Sequence, residues 1–174
     1  MVVKLLSRQE IDCESFKILD DVVHWPENLL NTVGEILVHS LTNSVDHGFN
    51  LPKLRGLNVQ SARFVIKATQ EQGAICIEII DNGKGLDLDL LKALGKQRAW
   101  SGETFAELTP MLFLDGLSTA EKASATSGRG VGLAAFRAIA EKWQGSAELM
   151  PNEMGIGCCL RVSLKNLAVL AASA

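Results

Sequence analysis

The chain has 174 residues, 47% hydrophobic and 21% charged, with a formal net charge of −3. That length suits one domain with a sizeable core, and the mix excludes a disordered or membrane-embedded chain. The slight negative charge gives no electrostatic footprint for nucleic acid. No apolar run reaches bilayer-spanning length and no signal-peptide pattern is present, so the expected compartment is the cytoplasm, with no membrane insertion.

In chain order, residues 1–24 form an N-terminal extension with two short apolar runs, Val2 to Leu6 and Phe16 to Leu19, that read as strands. Pro26 suits a first helical position. From Glu27, Leu30, Val33, Leu37, Leu41 and Val45 recur every three or four residues, which predicts an amphipathic helix ending at Gly48. At 1.5 Å per residue it runs about 30 Å. Asn50 to Asn58 reads as a loop. Ala62–Ala68 and Ala74–Ile80 alternate in hydrophobicity on either side of Gly73 and predict paired strands. Leu86 to Leu94 fits a helix, although Asp81-Asn82-Gly83 between two alternating runs is also a hairpin signal.

Residues 95–128 lack a sustained period and hold several glycines; a connection that long is expected to be functional or mobile. Ala134 to Trp143 predicts a second helix, and Ser146–Leu149 and Cys158–Leu164 predict strands joined by a turn at Pro151 to Gly157. Cys13, Cys76, Cys158 and Cys159 form no C-x-x-C pair, which speaks against a zinc site and for reduced structural thiols. Helices alternating with paired strands predict an α+β fold in one domain, residues 1–174: a two-layer sandwich of a mixed or antiparallel sheet with helices on one face.

Three segments carry chemistry. Ser127-Gly128-Arg129-Gly130-Val131-Gly132 is a glycine-rich loop running into a helix, where free first-turn N–H groups and the helix dipole favour an anion. Asn43-Ser44-Val45-Asp46-His47-Gly48 ends the first long helix, with His39 one turn earlier. His39, Asn43, Asp46 and His47 share a face at their spacing. Asp81-Asn82-Gly83-Lys84-Gly85 ends a strand.

In chain order, 43–48, 81–85 and 127–132, the segments resemble the motifs of the GHKL ATPase superfamily, the Bergerat fold, and within it the ATP-binding domain of chemotaxis histidine kinases of the CheA type. His39 to Gly48 keeps an H-x-x-x-N-S-x-D-H-G helix, Leu117-Ser118-Thr119-Ala120-Glu121 resembles the S-T-A-E lid, and the resemblance extends from about Pro26 to Leu164. It implies ATP and Mg2+ as cofactors and a histidine-containing phosphoacceptor as partner. It also implies that residues 95–128 include an ATP lid.

Onto Asn43 it places the magnesium-ligand role. His39 becomes a candidate catalytic imidazole, able to orient or deprotonate an attacking group. Asp46 and His47 fall on the phosphate side. Asp81 accepts a hydrogen bond from the adenine 6-amino group, where guanine offers an acceptor instead. Gly83 and Gly85 allow close backbone approach. The resemblance implies that Ser118, Thr119, Gly128, Arg129, Gly130, Val131 and Gly132 face phosphate.

The chain departs from the pattern at Thr42, where relatives carry Arg, and at Leu94, where they carry Lys. It departs again at Asp115, Leu117 and Cys158, which replace Pro, Phe and Thr. Two functions follow: a histidine-kinase catalytic domain acting on a separate acceptor, or a non-catalytic nucleotide-binding module that docks a signalling partner.

Overall fold

A computed structural model describes residues 12–20, 27–49, 61–71, 73–114, 132–153 and 155–165. Its centre is the predicted hairpin. Strands β2 (Ser61–Glu71) and β3 (Ala74–Asp81) pair antiparallel, from Glu71 opposite Ala74 to Phe64 opposite Asp81. Alternation puts Ile75, Ile77 and Ile79 on one face, all buried. Strand β1 (Asp12–Asp20) pairs parallel to β2. At the other side β5 (Cys158–Leu164) lies antiparallel to β3, and β4 (Ser146–Pro151) antiparallel to β5. The sheet is therefore mixed, with order β1-β2-β3-β5-β4.

Helices α1 (Glu27–Asn43) and α4 (Ala134–Lys142) supply the second layer. Leu29, Val33, Ile36 and Leu41 of α1, with Phe136 and Ala140 of α4, join Phe64, Ile77, Ile79, Val162 and Leu164 of the sheet in one core. The opposite sheet face is polar: Glu78 accepts from Arg161 Nη2 at 2.6 Å and lies 3.7 Å from Lys67 Nζ. One face apolar and one polar is the pattern an antiparallel-rich sheet needs when helices cover a single side.

The buried stripe of α1 differs from the predicted one. It runs through Leu29, Val33, Ile36, Ser40 and Leu41, while Leu30 is 52% exposed and Leu37 only partly buried. The helix carries apolar residues over a wide arc, including Leu30, Leu37 and Val38, and the sheet takes the centre of that arc rather than the edge that periodicity picks out.

Residues 95–114 are not a structureless connection. Helix α2 (Leu88–Gln97) starts at Asp87, whose Oδ1 accepts from Leu90 N at 3.0 Å. This excludes the hairpin alternative at Asp81-Asn82-Gly83. A short helix α3 (Phe105–Leu108) follows, and a 3-10 turn spans Thr109–Phe113. Thr104 and Glu107 close a capping box at the start of α3, and Trp100 Nε1 donates to the Glu107 carbonyl at 2.8 Å. Leu91, Leu108, Met111 and Leu112 form a second small core beneath them. Burying each such side chain contributes about 1.5–3 kcal/mol, enough to hold an element too short to be helical by itself.

Candidate functional site

Asp81 is the last residue of β3 and shares the parity of Ile75, Ile77 and Ile79. Alternation therefore aims its carboxylate into the helix layer, where it is only 7% exposed. A carboxylate in that position needs donors. It has three: Ser44 Oγ donates to Oδ2 at 2.7 Å, and Gly83 N and Cys158 N donate to Oδ1 at 2.9 and 3.2 Å. Burial pushes its pKa up, while the Ser44, Gly83 and Cys158 hydrogen bonds pull the other way. An ionised carboxylate offers about four lone-pair directions, so one on Oδ2 stays open to a ligand donor.

Each donor is delivered by a feature of local sequence. Ser44 opens a single π-helical turn, Ser44–Gly48, closed by Phe49 N donating to Ser44 O at 3.0 Å. Phe49 is fully buried, its ring centroid 5.5 Å from Phe64, the cross-strand partner of Asp81. The aromatic pair pins the end of the turn beside the carboxylate. Gly83 lies against Gly48 so tightly that a β-carbon would come within 2.9–3.0 Å of the Gly48 backbone, and Lys84 N donates to Gly48 O at 3.0 Å. Gly157 has φ +124°, and a β-carbon there would run into the Asp81 carbonyl. That contact brings the Cys158 N–H onto Oδ1. The Cys158 thiol, next to the same carboxylate, is pushed up to about 12 by burial and then by the Asp81 charge, so it is neutral.

The structure thus brings together Asp81, Gly83, Gly85 and the end of the Asn43–Gly48 segment. Gly85 rests on the Gly157 backbone, with φ +76°. Asn43 ends α1 and makes no capping bond with its side chain. Asp46 and His47 sit on the π-helical turn, Asp46 half-buried and His47 exposed. Gly132 is half-buried two residues before α4.

His39 is turned toward α4: its ring lies edge-on to Phe136 at 6.5 Å and its Nε2 is 3.9 Å from Glu35 Oε1. It is not among the groups bonded to Asp81. Ser118, Thr119, Gly128, Arg129, Gly130 and Val131 lie outside the described residues. Lys92, two residues before Leu94, is engaged with Glu103 at 2.6 Å.

The sequence pattern gives Ser44 no role of its own beyond its place in the N-S-x-D-H-G string. Gly157 and Cys158 are visible as part of Gly155-Ile156-Gly157-Cys158, which resembles a G-T-G-T stretch of relatives, but the Cys158 N–H as a donor is not. Their convergence on Asp81 depends on the β3–β5 pairing, which local sequence does not encode.

A two-layer sandwich with a buried acid at a strand end, beneath a helix terminus and a cluster of glycines, defines a class of nucleotide-handling domains. Residues 29–167 match the model of the histidine kinase-, DNA gyrase B- and HSP90-like ATPases, and the chain belongs to that family. Within it the likeness falls on histidine kinases. The chain is 33% identical over 151 residues to the chemotaxis protein CheA of Salmonella typhimurium, covering 83% of this chain and 22% of that protein. It is 34% identical over 155 residues to the sensor histidine kinase CheAY of Helicobacter pylori, covering 84% and 19%.

The chain therefore spans about a fifth of the length of these relatives. The catalytic domain of the histidine kinase ThkA superposes with a TM-score of 0.58 at 14% identity, over 95% of this chain and 88% of that one. The fold is thus an α+β histidine-kinase ATPase fold. Among the described residues, no helix is long and apolar enough to cross a membrane.

Proposed function

We propose that this chain binds ATP with Mg2+ and, as a catalytic domain of the CheA type, transfers the γ-phosphoryl group to a histidine on a separate domain or protein in two-component signalling. The observation that carries this reading is the buried Asp81 carboxylate with one unfilled lone pair, rigidly held by Ser44, Gly83 and Cys158.

A fixed acceptor of that kind selects a ligand donor. The 6-amino group of adenine supplies one, and guanine would place its carbonyl oxygen against the negative charge. By the family resemblance the phosphates are assigned to Asn43, Asp46 and His47, and to Ser118, Thr119 and residues 127–132. There Arg129 supplies a fork of donors. Among the described residues no three His, Cys, Asp or Glu side chains gather into a metal cage. A single amide oxygen at Asn43 suits Mg2+, which keeps several waters and takes its other ligands from phosphate. When bound, the ion supplies neutralisation of charge on the transferred group. His39, one turn before Asn43, is the candidate to orient or deprotonate the acceptor.

A second reading, a nucleotide-binding regulatory module without transfer, draws on the cations that relatives carry and this chain lacks. Thr42 and Leu94 are uncharged, and the nearby Lys92 is occupied by Glu103. Incubation with γ-labelled ATP and a histidine-containing phosphotransfer domain separates the two. The kinase reading expects acid-labile label on the acceptor, lost in Asn43→Ala. Tight ATP binding with no labelled acceptor would replace it with the regulatory reading.

A further inference from the structure

The turn between β4 and β5 carries one side chain that fastens two parts of the site. Asn152 follows Pro151, the last residue of β4. Its Nδ2 donates to the Asp81 carbonyl oxygen at 3.2 Å and to the Ile156 carbonyl oxygen at 3.2 Å. Its backbone N–H donates to the Gly157 carbonyl at 3.0 Å. A single residue therefore closes the turn on itself and ties it to the peptide that bears the site carboxylate. The same turn presents Cys158 N to Asp81 Oδ1 at 3.2 Å.

The mechanical consequence is direct. The Asp81 backbone is gripped by Asn152, and its carboxylate is gripped by the Cys158 N–H that the Asn152-braced turn delivers. Gly157 packs against the Asp81 carbonyl between them. Without the amide, two carbonyls lose a donor. The turn keeps its Asn152–Gly157 backbone bond and its place on the β3–β5 ladder but loses its side-chain tie to the strand end, so the Cys158 N–H is held less firmly over Oδ1. A carboxylate that discriminates between a donor and an acceptor on a ligand depends on being held in place, since small displacements weaken a preorganised contact.

We propose that Asn152 is a positioning residue for adenine recognition, acting through Asp81 and not through contact with the nucleotide. This rests on the reading of Asp81 as the adenine acceptor. It makes Asn152 a determinant of selectivity, not only of affinity.

The test is a double-mutant cycle. Asn152→Ala is made in the wild type and in Asp81→Asn, and affinities for a non-hydrolysable ATP analogue and its GTP counterpart are measured by calorimetry and competition. Thermal midpoints are recorded alongside. In the wild type Asn152→Ala should weaken the ATP analogue by about 3- to 10-fold, the loss of roughly one hydrogen bond. The preference for ATP over GTP should shrink by about the same factor. In Asp81→Asn the same change should cost less than about twofold, because the group it acts through is already disabled.

An undiminished cost of Asn152→Ala in the Asp81→Asn background, an equal loss for both nucleotides, or no loss at all would overturn the inference. Unchanged ATP affinity in Asp81→Asn alone would instead overturn the adenine-site reading, and this inference with it. Should the alanine variant fail to fold, Asn152→Leu, which keeps nearly the same size but has no donor, takes its place in the cycle.

Discussion

At the scale of the residue, Asp81 sets a conflict between stability and binding. Its carboxyl is buried and its pKa is held above the ordinary carboxylate value, chiefly by burial. The ionised form therefore costs folding free energy at neutral pH. That cost disappears as pH falls through the raised native pKa toward the unfolded value of about 3.9. Asp81→Asn should accordingly leave the thermal midpoint at pH 7 unchanged or higher. On acidification the wild type should gain on the variant. A midpoint several degrees lower in Asp81→Asn at pH 7 would mean the carboxylate is a structural anchor.

Binding runs the opposite way. Protonation removes the acceptor, so nucleotide affinity should weaken on the acid side at a pH above that of an ordinary aspartate.

Asn43 behaves differently, because its side chain caps nothing. Asn43→Ala should keep the circular dichroism spectrum and thermal midpoint of the wild type while removing the magnesium dependence of nucleotide binding. An unfolded variant would reassign Asn43 to structure.

At the scale of the element, the β4–β5 turn and the α2–α3 segment show what local sequence conveys and what it withholds. The hairpin β2–β3, the helix α4 and the strands β4 and β5 were legible because hydrophobic period and turn residues agree there. Asp81, Gly83 and Gly85 were legible because a carboxylate before two glycines at a strand end is an unusual string. The true buried stripe of α1 was not legible. Several apolar residues lie at its edges, and tertiary contact with the sheet chooses between Leu29 and Leu30.

Nor was the order in residues 95–114 visible. Its core is assembled from Leu91, Leu108, Met111 and Leu112 on three separate short pieces, none of which shows a full helical period. The capping box at Thr104 and Glu107 was the available signal. Thr104→Ala should cost about 1 kcal/mol in denaturant unfolding. Gly157→Ala should cost more, at least about 2 kcal/mol, since it combines a left-handed φ with a collision on the Asp81 carbonyl. An alanine at 157 that unfolds like the wild type would show that the turn can move away from Asp81.

At the scale of the whole molecule, the sheet and α1 build the acid end of the candidate site, and the second small core holds the chain as far as Leu114. The lid expected from Gly95 onward is thereby divided. Residues 95–114 belong to the folded frame, and the motifs proposed to face phosphate come after Leu114 in the sequence. Amide hydrogen exchange should show Leu108 to Phe113 protected with or without a non-hydrolysable ATP analogue. Ligand-dependent protection should fall within residues 115–132. Equal protection of residues 115–132 in both states would remove the lid role from Ser118, Thr119 and Arg129.

The proposed function stands or falls on Asp81 as an adenine-selective acceptor. The most direct measurement is calorimetric titration of wild type and Asp81→Asn with the magnesium complexes of non-hydrolysable ATP and GTP analogues at neutral pH. The wild type should bind the ATP analogue and strongly disfavour the GTP analogue. Asp81→Asn should lose about 10- to 100-fold in ATP affinity, as for a charge-assisted hydrogen bond worth about 1.5–3 kcal/mol. Equal affinity of wild type and variant for the ATP analogue, or equal affinity of the wild type for both nucleotides, would contradict it.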